Sequence, residues 1–195
     1  MRHFYPGMGA TNEMYYGPWR DLEDTVFHDW PRSNGETTIP DLAQRLILEH
    51  DIHKGDTIVG TSLGGIAACE IANQIELNRL VLIASAVRKE EINYLLKVLY
   101  PFIDLAPLPF LQLSAGSLPG DLCDMFSKGD PKFIRNMCKA IFDWNGLQAK
   151  VDLIRIHGTR DRVIPMPEGV SNRIDGGHLI VMTHASECIE RVLFQ

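Results

Sequence analysis

The six residues Gly60-Thr61-Ser62-Leu63-Gly64-Gly65 constrain the fold of this chain more than any other stretch. They follow a short apolar run, Thr57-Ile58-Val59, and open a small-residue segment that continues through Ala67, Ala68 and Ala72. A strand, a tight turn and a helix are therefore expected in succession, with a serine at the apex. Glycines on both sides of the serine let strand and helix pass close to each other. The pattern Gly-x-Ser-x-Gly in that context is a nucleophile elbow. Its turn holds the serine in a strained conformation and leaves the hydroxyl projecting above a sheet.

The rest of the chain supplies that sheet. Short apolar runs alternate with helical patterns, which predicts a parallel sheet with helices on both faces. His3-Phe4-Tyr5 reads as a first strand and Thr25-Val26-Phe27-His28 as a second, with an aromatic-rich helix or loop between them around Tyr15 to Trp19. Residues 39–49 read as a helix, with Thr38 as N-cap, Pro40 in the first turn, and Ile39, Leu42, Leu46 and Ile47 on one face. Thr57-Ile58-Val59 is the third strand. The helix after the elbow is apolar on most sides, which predicts a buried, central position. Leu80-Val81-Leu82-Ile83-Ala84 is a continuous apolar strand of the kind found inside parallel sheets. Val151 to Ile156 and Ser171 to Ile174 read as the last two strands, and a terminal helix runs from about Leu179 to Leu193.

Residues 87–147 interrupt the alternation. Pro101, Pro107, Pro109 and Pro119 punctuate an apolar stretch that includes Leu95, Leu96, Val98, Leu99, Phe102, Leu105, Leu108, Phe110, Leu111 and Met125. This reads as a helical insertion folded over the strand ends, a cap within one domain of 195 residues rather than a second domain. Some of its apolar side chains are candidates to line a pocket beside Ser62, the others to pack on one another and on the sheet.

Several function classes are disfavoured. The formal net charge is −6, with no basic stripe and no aromatic-plus-basic cluster, so nucleic acid is not an expected partner. The most apolar stretch, Tyr94 to Leu113, is broken by Lys97, Asp104 and prolines and cannot span a membrane as a helix. The N-terminus lacks the apolar core of a signal peptide. Cys69, Cys123, Cys138 and Cys188 form no Cys-x-x-Cys pair and read as buried free thiols, which fits a reducing cytoplasm.

A serine hydroxyl is a weak nucleophile at neutral pH. It needs a base, usually histidine, and an anion that holds the histidine in the right tautomer. Both types lie downstream, each past a strand end: Asp161 in His157-Gly158-Thr159-Arg160-Asp161, and His178 in Asp175-Gly176-Gly177-His178. Asp152 and Asp175 are the competing acids. The first lies inside a strand pattern and the second is too near His178 in sequence to face it easily. His157 and His184 are the competing bases, the latter expected on the terminal helix. His3, His28, His50 and His53 read as structural or exposed.

These motifs, in this order, resemble the α/β-hydrolase superfamily, and the resemblance runs nearly end to end. It implies an α/β fold with a mostly parallel sheet of about six strands flanked by helices. It also implies Ser62 as nucleophile, Asp161 as acid and His178 as base. The backbone N–H of Leu63, and that of Met8 in Pro6-Gly7-Met8-Gly9, correspond to the family's oxyanion donors. The chain departs from the family in starting at the oxyanion-loop strand, in a short interval between Asp161 and His178, and in Thr61 where histidine is common. The resemblance implies a hydrolase of esters or thioesters, with no metal or organic cofactor, and the apolar insertion makes small to medium apolar acyl groups the expected substrates. Acyl transfer, perhydrolysis and cofactor-free lysis run on the same framework, and a non-catalytic binding module is the alternative of another class.

Overall fold

A computed structural model describes residues 1–93 and 130–194. The regular elements are β1 (Arg2–Tyr5), β2 (Thr25–Phe27), α1 (Ile39–Glu49), β3 (Thr57–Thr61), α2 (Leu63–Gln74), β4 (Arg79–Ile83), α3 (Pro131–Asp143), β5 (Leu153–Gly158), β6 (Asn172–Ile174), α4 (Ile180–Thr183) and α5 (Ala185–Phe194). Short 3-10 turns at Asn12–Met14 and Gly17–Asp21 occupy the aromatic-rich stretch between β1 and β2. Most of the expected cap, residues 94–129, lies outside the described residues, and so do Cys123 and the apolar residues from Leu95 to Met125.

The strands form one six-stranded sheet in the order β2-β1-β3-β4-β5-β6. Every neighbouring pair is parallel. Because strand side chains alternate, each strand feeds two cores. On one face Tyr5, Ile58, Leu80 and Leu82 pack with the apolar sides of α1, α2 and α3. On the other, Phe4, Val59, Val81, Ile83, Ile154, Ile156 and Ile174 pack with Met14, Tyr15, Trp19 and residues of α4 and α5. The aromatic turns therefore cover the second face, where Phe4, Tyr15 and Trp19 meet edge to face.

Local chemistry explains the helices nearest the site. The Thr38 hydroxyl accepts the Asp41 N–H and Pro40 sits in the first turn, so α1 starts where its cap allows. α2 is buried along Leu63 to Ala72, as a helix apolar on most sides must be. It can lie that close to β1 and β3 only because of glycine. A Cβ on Gly60 would stand 2.3 Å from the Gly64 carbonyl carbon, and one on Gly64 would stand 2.3 Å from the Tyr5 oxygen.

Two local expectations change. The terminal helix is broken at His184, whose backbone leaves the helical region at φ −133° and ψ 42°. The Thr183 hydroxyl bonds both the His184 ring and the Leu179 carbonyl, which also accepts the Thr183 N–H. His184 thus closes α4 instead of riding on one long helix. Asp152 lies just before β5 rather than inside it, and its carboxylate pairs with Arg79 at 2.7 Å.

Candidate active site

The apex of the elbow is strained as the glycine pattern predicts. Ser62 has φ 53° and ψ −118°, a conformation that costs a non-glycine residue on the order of 1–3 kcal/mol. Its surroundings hold it there. The Ser62 N–H donates to the Ile83 carbonyl at 3.1 Å. The Ser85 hydroxyl donates to the Ser62 carbonyl at 2.7 Å, and that oxygen also accepts the N–H groups of Gly65 and Ile66 at the start of α2. The preceding residue, Thr61, is buried and bonded to the Tyr15 hydroxyl at 2.9 Å. Tyr15 gives its own proton to the Tyr5 carbonyl at 2.6 Å, so Thr61 is the donor to Tyr15. This chain of hydroxyls ties the end of β3 to the end of β1.

β5 and β6 bring the downstream residues to the same place. Asp161 lies in the turn after β5, and His178 follows β6 through Gly176-Gly177. Asp161 Oδ2 stands 2.7 Å from His178 Nδ1, and His178 Nε2 stands 3.0 Å from Ser62 Oγ. The other carboxylate oxygen, Oδ1, accepts the Val163 and Ile164 N–H groups at 2.9 and 3.0 Å. Burial works against ionising this carboxyl. The positive charge available on His178, hydrogen bonds from His157 and His178, and the Ile164 N–H outweigh it and hold Asp161 well below the usual carboxylate range. An ionised carboxylate only accepts hydrogen bonds, so the proton of neutral His178 sits on Nδ1. The Nε2 lone pair then faces the Ser62 hydroxyl.

The competing residues go elsewhere. Asp175 is exposed and bonds Thr159 and Arg160. His157 is buried and donates from Nε2 to the Ile164 carbonyl at 2.7 Å, with Asp161 Oδ2 at 3.4 Å. It braces the Asp161 turn from behind and has no described contact with Ser62.

Met8 and Leu63, the two expected oxyanion residues, line one small cavity with Ser62. Gly7 passes so close that a Cβ there would lie 3.6 Å from Ser62 Cβ. Leu63 is the first residue of α2, where helical N–H groups have no intrahelical acceptor and the helix dipole favours negative charge. Neither the Met8 nor the Leu63 N–H has a protein acceptor among the described residues. The remaining wall is apolar: Ile66, Ile92, Ile141, Val163 and Ile164. Ile141 comes from α3 and Ile92 follows the turn at Lys89–Glu91, so residues on both sides of 94–129 line the cavity with Ser62. Asn93 ties the start of the insertion to the Asp161 turn, its N–H donating to the Val163 carbonyl and its side chain to that of Arg162.

A larger cleft of about 510 Å³ opens between the start of α1 and the end of α3. Its buried carboxylate, Glu70, lies more than two turns along α2 from Ser62 and is bonded to the Trp144 indole and to Asn73. The residues lining it include no nucleophile–base pair, so size does not mark the chemistry here.

Tyr15, Ser85 and His157 support the site but carry no motif. Their only sequence signal is position: Ser85 just past a strand, His157 at a strand end and Tyr15 in an aromatic cluster.

No protein-family model and no functionally curated protein matches the sequence. Solved structures do match it in fold. A lipase-esterase related protein from Clostridium acetobutylicum aligns with a TM-score of 0.75 at 15% identity, over 98% of this chain and 92% of that one. The esterase EaEST from Exiguobacterium antarcticum aligns with a TM-score of 0.74 at 17% identity, over 99% and 91%. The type II thioesterase BorB from the borrelidin biosynthetic cluster aligns with a TM-score of 0.66 at 17% identity, over 96% and 89%. At such identities the likeness is one of fold, and with the six-stranded parallel sheet and the elbow after β3 it shows that this chain adopts the α/β-hydrolase fold.

Proposed function

We propose that this protein is a serine hydrolase that cleaves carboxylic esters or thioesters of small to medium apolar acyl groups. The observation that carries this reading is the continuous line from Asp161 through His178 to Ser62, at 2.7 and 3.0 Å, beside an apolar wall. Ser62 Oγ attacks the substrate carbonyl while His178 Nε2 takes its proton. The carbonyl π pair moves onto oxygen, where the Met8 and Leu63 N–H groups stabilise it. Such donors are typically worth about 3–4 kcal/mol each. Asp161 keeps the ring in register and stabilises the imidazolium. The intermediate collapses, the leaving alcohol or thiol takes the proton from His178, and the acyl group remains on Ser62. Water then gives a proton to His178, attacks the acyl carbon and releases the acid.

The cap reading of residues 87–147 belongs to the same proposal. Ile92 and Ile141 would hold the acyl chain. Cys69, Cys138 and Cys188 are buried free thiols, with burial pushing Cys138 and Cys188 up to about 12. Such thiols suit a reducing cytoplasm. No helix among the described residues is long and apolar enough to cross a membrane.

A fluorophosphonate probe tests the nucleophile. Wild type should become labelled on Ser62, and Ser62→Ala should not be labelled. Turnover of p-nitrophenyl esters of graded chain length then separates hydrolysis from the alternatives. Inertness to every ester, with no labelling, would reject hydrolysis in favour of a binding module. Product trapped on an added alcohol or thiol faster than on water would reassign the chemistry to acyl transfer.

A further inference from the structure

The oxyanion loop carries a feature that the proposed reaction alone does not require. The Gly7 carbonyl is buried, and it accepts two hydrogen bonds. One comes from the Ala10 N–H at 3.2 Å, closing the turn over residues 7–10. The other comes from the Trp30 indole N–H at 2.9 Å, across 23 residues of sequence. Trp30 is itself held between two rings: Tyr5, at 6.2 Å between centroids, and Phe133 of α3, at 5.2 Å. Tyr5 ends β1, two residues before Gly7. The indole thus sits on a fixed support on one side of the loop.

The consequence follows from peptide geometry. The Gly7 carbonyl and the Met8 N–H belong to one peptide unit, and that unit is trans, as no cis peptide bond occurs among the described residues. In a trans peptide the C=O and the N–H point in opposite directions in one plane. A donor that captures the carbonyl therefore sets the direction of the N–H. Gly7 lies against Ser62, and Met8 lines the same cavity. Without the indole, only the Ala10 N–H would hold the carbonyl, and Gly7 and Gly9 on either side of Met8 leave the peptide freer to rotate and lose the oxyanion contact.

We propose that Trp30 is a positioning residue for the oxyanion hole: by holding the Gly7 carbonyl, its indole N–H keeps the Met8 N–H turned toward the oxygen that becomes charged during attack by Ser62. This rests on the serine hydrolase reading above. It adds a residue that carries no motif and does not line the cavity beside Ser62, and it links α3 to the loop through Phe133. Preorganised donors of this kind lower the barrier because they need not reorient as charge develops.

The test removes the N–H and keeps the ring. Trp30→Phe retains an aromatic side chain between Tyr5 and Phe133. Incorporation of 3-benzothienylalanine at position 30 retains the full shape of tryptophan without the N–H, and serves if the phenylalanine variant folds poorly. Each should lower kcat on a p-nitrophenyl ester by about 10- to 100-fold, less than the loss of a donor itself. KM and the pH profile should hold. A trifluoromethyl ketone, whose adduct with Ser62 carries an oxyanion, should lose affinity by a similar factor. A benzothienyl variant with wild-type kcat and wild-type ketone affinity overturns the assignment of Trp30 alone. A loss expressed in KM only assigns Trp30 to structure and overturns it too. A wild type that neither turns over esters nor is labelled on Ser62 overturns the hydrolase reading and this inference together.

Discussion

Two groups of histidines in this fold resemble each other in composition and differ in everything that matters for chemistry. At the C-terminal ends of β5 and β6, His157 and His178 flank one buried carboxylate, Asp161. Beside the start of β3, His3, His28 and His50 stack on one another and on Tyr5. Their bonds are among themselves: His3 Nδ1 to His28 Nε2 at 2.9 Å, and the Tyr5 hydroxyl to His50 Nδ1 at 2.8 Å. The nearest carboxylate, Asp56, stands at the edge, 3.4 Å from His3 and 3.1 Å from the N-terminal amine. Burial depresses all three of these histidines. His28 is pushed down to about 3, with His50 and His3 adding to the effect of burial. A bond between two imidazole nitrogens requires one of them to be a lone pair, so protonating both rings breaks the His3–His28 bond. The difference teaches what makes an imidazole useful for proton transfer. Burial alone strips it of charge. A buried carboxylate whose other oxygen is already satisfied fixes its tautomer and stabilises its charged form.

The comparison can be broken at several points. If the proposed reaction holds, the largest effect is expected from His178→Ala, which should cut turnover by about 10⁶, as loss of a nucleophile or base does in a serine protease triad. Initial rates with a p-nitrophenyl ester read it. Substantial residual rate would mean that His157 also serves as a base and that the two groups differ less than the geometry implies. Next, Asp161→Asn should lower kcat by about 10⁴ with the fold intact by circular dichroism. An amide offers one acceptor where the site uses two, so it cannot satisfy both His178 and the Val163 and Ile164 N–H groups. A loss below about tenfold would move the acid elsewhere.

The smallest effect concerns the other group, and it is read in stability. Because the folded-state pKa of His28 lies below its unfolded value of about 6.5, the unfolded chain binds more protons in acid. Its contribution to stability is therefore present above pH ~6.5 and is lost as pH falls toward about 3. His28→Gln removes that proton uptake. Urea-unfolding midpoints measured across this window should fall less steeply with acid in the variant than in wild type. Parallel slopes would show that the stack is not the acid-sensitive element.

Legibility divided along the same line. Ser62, Asp161 and His178 were readable because each sits beside a strand end in a segment with its own glycines or polar turn. The α1 helix was equally legible from Thr38, Pro40 and its apolar face, and β1, β3 and β4 from their apolar runs. The break at His184 was not readable, since no glycine or proline marks it. The histidine stack was not readable either. His3 and His28 are 25 residues apart and His28 and His50 are 22 apart, and only pairing of β1 with β2 and packing of α1 over them brings the rings together.

What the sequence by itself determined is the set of elements and the residue types at their ends. Strand alternation, glycine spacing and capping are local properties, written within a few residues of where they act. What only the tertiary structure decided is which of those ends converge. The 2.7 and 3.0 Å contacts of His178, the capture of the Gly7 carbonyl by Trp30 and the reach of Ile92 and Ile141 to Ser62 join residues from 17 to 116 positions apart, with His178 to Ser62 the longest reach. Such contacts depend on strand order and register, which long-range packing selects and no local pattern encodes.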